Sequence, residues 1–386
     1  MKILFDAQSI RPPLTGIGRY AYELASRLPK FKDIRKIHYF YNGTNHKDLS
    51  FIDKDPFQGM TIKRYLKNII ANLPLAPQCY SAIKNITQKN YFRTYSNYLF
   101  HSPNYYLPEH PGPCVTTFHD LSIFLWQECH PKNRVTYMQR ELPIALKRAN
   151  IILTDSEFIR HEISTYFNWP LDKIVTAPLA ASTDYHPRTS LETNPILAQW
   201  NLSFGQYSLF VGTLDPRKNI NSLLTAYERM PQSIRQRTPL IITGFNGWKS
   251  EATLERIQKG EKEGWARYLG FVNQDDLPFL YAGARVFLYP SYYEGFGLPV
   301  LEAMASGIPV ICSNQSSLPE VVGDPNNAAL IHPEDHDALY NILLRALEDD
   351  LWCHTLQQRG LQRSTHFSWD KTASNTIAAY KLAYNS

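Results

Sequence analysis

Short apolar runs, each closed by a loop and followed by a stretch of helical period, recur along the whole chain. That alternation commits it to parallel sheets with crossover helices, an α/β protein. The first half supplies strands at residues 2–7, 37–41, 114–118, 150–154 and 173–177. Helices are predicted at 18–28, where Tyr20, Leu24 and Leu28 fall at fourth-residue spacing, and at 133–148. The second half supplies strands at 208–213, 239–243, 266–269, 286–289, 309–312 and 328–331. A chain of 386 residues exceeds the roughly 250–300 at which one core stops growing, so the alternation divides between two domains. Residues 185–193, with Pro187 and a Ser/Thr/Asn-rich flank, read as the linker. The expected division is 1–187, 188–366, and a terminal segment 367–386 whose helix, from 369 to 384, packs back on the first domain. Ligands of open parallel sheets bind beyond the carboxyl ends of the strands, so a cleft between the domains collects both sets of loops.

Several classes are excluded early. Hydrophobic content of 44% with 19% charged residues is that of a folded protein. The longest uncharged stretches, such as 69–83, are interrupted by Pro, Asn and Gln and fall short of the ~20 apolar residues of a membrane span. Met1-Lys2 runs into Ile-Leu-Phe and then Asp6, too short for a secretory signal, which predicts a cytoplasmic protein. Cys79, Cys114, Cys129, Cys312 and Cys353 are widely spaced and never form Cys-x-x-Cys, which indicates neither a disulfide framework nor a zinc site.

Residues 289–303 carry the strongest chemistry. A strand ends in Pro290-Ser291, a Gly-rich turn presents Glu294, and a helix begins near Leu298-Pro299, where proline is tolerated. Backbone N–H groups at such a helix start suit an anion or an oxygen-rich ligand. Glu294 in the loop and Glu302 a turn into the helix each suit a pair of neighbouring hydroxyls, as sugars and riboses present. A capped helix with an exposed Glu is the plainer reading.

Glu294 and Glu302, set around Gly295-Phe296-Gly297-Leu298-Pro299, resemble the signature of glycosyltransferase family 4, retaining enzymes of GT-B architecture. The resemblance extends to Phe210-Val-Gly212-Thr213-Leu-Asp-Pro-Arg217-Lys218-Asn219, Tyr268-Leu-Gly-Phe-Val, Asp276-Leu-Pro, Leu280-Tyr-Ala-Gly-Ala, Gly307-Ile-Pro-Val-Ile and Leu318-Pro-Glu-Val-Val-Gly-Asp324. In the first half, Thr15-Gly16-Ile-Gly18-Arg19-Tyr20, Phe118-His119-Asp120-Leu121 and Asp155-Ser156-Glu157-Phe158 look like the corresponding loops. It implies two Rossmann-like domains facing across a cleft.

It also implies roles. Lys218 and Arg217 meet the phosphates of a departing nucleotide, where leaving-group charge must be stabilised. Many relatives carry an Arg where this chain has Thr213, so Arg217 is the substitute. Glu294 holds sugar hydroxyls, Glu302 the ribose 2′- and 3′-hydroxyls, and Phe296 and Gly297 offer backbone amides. Gly212, Thr213 and Leu298 line the donor, and Gly16 and Gly18 let the first loop approach it. His119 contacts a sugar hydroxyl, and Asp120 orients His119 or approaches the acceptor. The catalytic set is thus His119, Asp120, Arg217, Lys218 and Glu294. The acceptor hydroxyl attacks the face the nucleotide leaves, and a leaving phosphate oxygen takes its proton, which needs no strong protein base.

Two decoys fall away. Gly16-x-Gly18-x-x-Ala21 is a weak dinucleotide fingerprint, and the second strand ends in Asn42-Gly43 with no acid for a ribose. Asp53-Lys54-Asp55 reads as a solvated turn, so no catalytic metal and no cofactor beyond the donor is expected. The motif set resembles bacterial surface-polysaccharide transferases, many of them GDP-mannose-dependent α-mannosyltransferases. It implies GDP-mannose as donor, with UDP-glucose, UDP-N-acetylglucosamine and dTDP-rhamnose as alternatives that share the motifs. The implied acceptor is a lipid-linked oligosaccharide of O-antigen or capsule synthesis.

The formal charge of +5 is concentrated. Residues 56–108 contain no Asp or Glu, while Lys63, Arg64, Lys67, Lys84, Lys89 and Arg93 are interleaved with Tyr65, Tyr80, Tyr91, Phe92, Tyr95, Tyr98 and Phe100. Such a surface, led by Lys63, Arg64 and Lys67, suits the cytoplasmic face of the inner membrane. A solvated helix over core aromatics is the plainer reading. A nucleic-acid binder would explain the same charges but not Glu294 and Glu302, which repel phosphate. A phosphorylase-like enzyme, or a sugar-nucleotide-binding regulator without turnover, is the remaining alternative. Oligomeric state has no sequence signal.

Overall fold

The computed structural model describes residues 1–14, 16–52 and 91–386. Lys63, Arg64 and Lys67 of the expected membrane surface, and Asp53-Lys54-Asp55, lie outside the described residues.

Strands β1 (Lys2–Asp6), β2 (Lys36–Tyr41), β3 (Thr44–His46), β4 (Leu99–Ser102), β5 (Cys114–Phe118), β6 (Ile151–Thr154) and β7 (Ile174–Thr176) form one sheet in the order β3-β2-β1-β4-β5-β6-β7. All its pairings are parallel except that of β3 with β2. Asn42 and Gly43, at φ 49° and 83°, make the two-residue turn of that hairpin. Strands β8 (Ser208–Val211), β9 (Leu240–Thr243), β10 (Ala266–Tyr268), β11 (Val286–Tyr289), β12 (Val310–Ser313) and β13 (Ala329–Ile331) form a second, parallel sheet in the order β10-β9-β8-β11-β12-β13.

The sequence reading missed β3 and β4. Leu99-Phe100-His101-Ser102 is short and half polar, yet it is buried between β1 and β5 with Ile3 opposite Leu99 and Phe100 opposite Cys114. Phe92, Tyr98 and Phe100 also belong to a buried cluster with Leu4 and Phe40, so these aromatics of the supposed surface are core.

The helices that bear on the cleft are α1 (Ile17–Arg27), α2 (Glu157–Phe167), α3 (Ile220–Arg229), α4 (Leu298–Ala305) and α5 (Trp369–Asn385). The segment read as linker is already helical from Ser190, because Thr189 and Glu192 form a capping box. On α5, Trp369, Ala373, Ile377, Tyr380 and Ala383 fall at three- and four-residue spacing and are buried. This helix lies on the first sheet, with Tyr380 OH 2.6 Å from His101 Nδ1 and Asn375 Nδ2 donating to Thr176 O at 3.1 Å.

In the second sheet the chain runs from β8 outward to β10, then returns to place β11 on the other side of β8. The loops after β8 and β11 therefore part from one another, and the crevice between them is where such sheets bind ligands.

Candidate functional site

The loop after β8 folds into a short turn, Pro216–Lys218, capped by Asp215, whose carboxylate accepts from Arg217 N at 2.9 Å. Asn219, at φ 55°, turns the chain into α3, and its Nδ2 donates to Pro290 O (3.2 Å) and Pro333 O (2.8 Å), fastening this loop to the one after β11. Lys218 Nζ then donates to Glu294 Oε1 at 2.6 Å and to Tyr289 OH at 3.1 Å. Arg217 Nη1 donates to Tyr293 O at 2.8 Å. All three charged side chains are buried.

Their charges are mutually dependent. Burial pushes the Glu294 carboxyl upward, but the Lys218 and Arg217 cations outweigh it and hold it below the usual carboxylate range. Burial pulls Lys218 down against the opposing pull of Glu294, leaving its ammonium below its ordinary value. Burial also opposes the Arg217 charge, yet Glu294, Asp120 and Asp215 raise it.

Two serines fasten the backbone that presents Glu294. Glu294 N donates to Ser316 Oγ at 2.9 Å, and Ser317 Oγ donates to Glu294 O (2.9 Å) and Phe296 O (2.8 Å). Phe296 is buried edge-on to Phe367. Gly297, at φ 105°, starts α4 in a conformation that favours glycine, and Leu298 is the first helical residue. Gly212 closes β8 through its N–H to Thr243 O at 2.9 Å, with Thr213 exposed beside it.

Glu302 lies in α4, its Oε2 accepting from Tyr281 OH at 3.0 Å. The Tyr185 hydroxyl and the Arg19 cation also act on this carboxylate and favour its charge. Burial nevertheless pushes the Glu302 carboxyl up to about 7. Sequence reasoning missed these three partners, which come from the linker, a helix and the first domain and share no local pattern.

In the first domain His119 follows β5. Its Nδ1 is 2.6 Å from Asp155 Oδ2 and its Nε2 2.8 Å from Pro103 O, with Tyr20 and Tyr105 edge-on to the ring. Burial opposes the imidazolium, but Asp155 and the two hydrogen bonds prevail and raise its pKa. The partner of His119 is therefore Asp155, where the sequence had suggested Asp120. Asp120 Oδ1 instead accepts from Ser122 N (2.9 Å) and Ser122 Oγ (2.7 Å), and its charge faces Arg217. Gly16 caps α1, and a Cβ on Gly18 would meet Ser9 O at 2.9 Å, so Gly18 is held small by its own loop.

The two halves meet directly. A Cβ on Gly295 would sit 1.9 Å from His119 O, so glycine alone permits this approach. Ser156 Oγ donates to Gly295 O at 2.7 Å, and Leu121 N donates to Tyr293 OH at 2.9 Å. The Glu320 carboxylate caps α2, accepting from Glu157 N (3.0 Å) and Phe158 N (3.1 Å). Among the described residues, no group of three or more His, Cys, Asp or Glu is placed to hold a metal ion. None of the described helices is long and apolar enough to cross a membrane.

Two parallel-sheet α/β domains, with buried cations and carboxylates where the loops of β8 and β11 part opposite the loop of β5, define a glycosyltransferase of GT-B architecture. The chain belongs to the glycosyl transferases group 1, whose pattern matches residues 202–363. It is 44% identical over 382 residues to O-antigen chain mannosyltransferase B of Escherichia coli, covering 99% of this chain and 100% of that one. The serotype-specific mannosyltransferase WbdA of Escherichia coli is 31% identical over 281 residues, 70% of this chain and 33% of its own length. In fold the chain is similar to sucrose-phosphate synthase from Thermosynechococcus elongatus, with a TM-score of 0.71 at 21% identity over 100% of this chain and 99% of that one.

Proposed function

We propose that the chain transfers mannose from GDP-mannose, with retention of anomeric configuration, to a lipid-linked glycan in the synthesis of O-antigen. One observation carries the reading: the end-to-end relationship to a protein named as an O-antigen chain mannosyltransferase. The donor is bound by residues 188–366 and the acceptor by residues 1–187. Lys218 and Arg217 stabilise the charge that grows on the diphosphate as the sugar–phosphate bond breaks. The arriving diphosphate competes with Glu294 for Lys218 and frees that carboxylate for sugar hydroxyls. Glu302 accepts from the ribose hydroxyls, beside Phe296, Gly297 and Leu298. His119 reaches a sugar hydroxyl by exchanging its Pro103 carbonyl for it. The acceptor hydroxyl attacks from the side the nucleotide leaves and passes its proton to a phosphate oxygen. Lys63, Arg64 and Lys67 hold the enzyme at the cytoplasmic face of the inner membrane, where the lipid-linked acceptor resides.

Calorimetric titration with GDP and UDP, followed by NMR of the product formed from GDP-mannose and extracted lipid-linked acceptors, tests this reading. Tight UDP binding with none for GDP overturns the donor.

A further inference from the structure

We infer that Tyr293 is a positioning residue that makes the placement of Arg217 and Glu294 conditional on closure of the two domains. Tyr293 immediately precedes Glu294 and is 4% exposed. Its two ends face different halves of the molecule. On the second-domain side, its carbonyl holds Arg217 Nη1 at 2.8 Å and the guanidinium stands 5.9 Å from its ring. On the first-domain side, its hydroxyl accepts from Leu121 N at 2.9 Å and donates to the Glu162 carboxylate. Phe158 and Trp126 flank the ring, at 6.2 Å and 6.3 Å between centroids.

Every hydroxyl and ring–ring partner thus lies between Leu121 and Glu162, while the carbonyl accepts from the cation beside the candidate phosphate site and, at 3.4 Å, from Ser291 Oγ. When the domains separate, the hydroxyl loses both partners, and Leu121 N and Glu162 lose theirs. The ring then loses its first-domain anchors, and only the long bond from Ser291 Oγ is left to steady the carbonyl that aims Arg217. Phenylalanine would fill the same space and keep the ring contacts, but it would lose both hydrogen bonds to the first domain, since it offers nothing to the Leu121 amide or to Glu162. The shared segment Tyr293-Glu294 carries the constraint from Arg217 to the carboxylate bonded to Lys218.

The test compares Tyr293→Phe, Glu162→Leu and Glu162→Gln, measuring kcat for sugar transfer and the Kd of GDP and UDP by calorimetry. Tyr293→Phe is expected to lower kcat about tenfold and to change nucleotide Kd less than twofold, because the nucleotide rests on the second domain. Glu162→Leu should reproduce that loss and Glu162→Gln, which still accepts from the hydroxyl, should recover most of it. The double variant Tyr293→Phe/Glu162→Leu should be no worse than either single one. The inference is overturned if Tyr293→Phe keeps kcat within twofold of wild type, if the two losses multiply, or if nucleotide affinity falls in step with kcat. If Tyr293→Phe does not fold, equal activity of Glu162→Leu and Glu162→Gln overturns it alone. A protein that binds UDP and not GDP contradicts the proposed donor while leaving these ratios readable.

Discussion

Lys218 Nζ lies 2.6 Å from Glu294 Oε1, with side-chain exposures of 11% and 9%. Removing either partner leaves a buried charge without its hydrogen-bonded counter-ion, which typically costs about 3–5 kcal/mol. Lys218→Met should lower unfolding stability by about 3 kcal/mol and reduce transfer by about 10²–10³-fold. The double change Lys218→Met/Glu294→Leu should regain stability and none of the activity. Denaturant unfolding and initial rates check this, and a double variant as unstable as the single one counts against a paired site.

Glu302 gives a pH dependence of definite sign. Burial raises its carboxyl from 4.5 to about 7, so between those values the folded protein holds a proton the unfolded chain does not. Its contribution to stability is fully present below about 4.5 and is lost as pH rises through about 7. Glu302→Gln should flatten that part of the curve, leaving the similar share of Glu162, which burial also raises to about 7. If the carboxylate is what receives the ribose, wild-type nucleotide affinity should strengthen from pH 6 to pH 8. Glu302→Gln should bind roughly tenfold more weakly at the upper end, the worth of a charged hydrogen bond. Calorimetry at the two pH values and melting curves across the range provide the comparison.

Asp155→Asn should bring the His119 imidazole below its ordinary value of 6.5, because burial, the largest influence on it, is then opposed by no carboxylate at Nδ1. An NMR titration of the ring carbon reads this directly. An unmoved His119 titration would remove Asp155 as the source of its charge.

Gly295→Ala should leave each domain folded and slow transfer at least a hundredfold, since the new methyl would collide with the His119 carbonyl and hold the halves apart. Unchanged melting with lost turnover is the expected pair of results. Full turnover would mean that the contact between Gly295 and His119 has no part in catalysis.

That Lys218 and Glu294 each sit just past a strand end was legible, but their ion pair was not, because it needs β11 beside β8, a crossover in the sheet order that alternation of elements does not supply. Asp155 was not, because the sequence offered Asp120 beside His119 and the choice rested on adjacency. Phe118 is opposite Thr154 in the parallel pair β5 and β6, which sets His119 beside Asp155, a fact of register that needs the sheet first. Strand β4 escaped for a related reason. Its four residues are stabilised by flanking strands, and its His101 is satisfied by Thr117 on the neighbouring strand and by Tyr380, far away in sequence.

Helix α5 completes the first domain from the far end of the chain, with Thr372 Oγ1 bonded to Pro178 O at 2.5 Å and Tyr384 OH to Lys2 O at 2.7 Å. On a ribosome adding ~5–20 residues per second, the first sheet waits for the whole second domain to be made before its covering helix emerges. Nascent chains halted before Trp369 therefore display an open apolar face to chaperones, and the domain synthesised first is the last to finish folding.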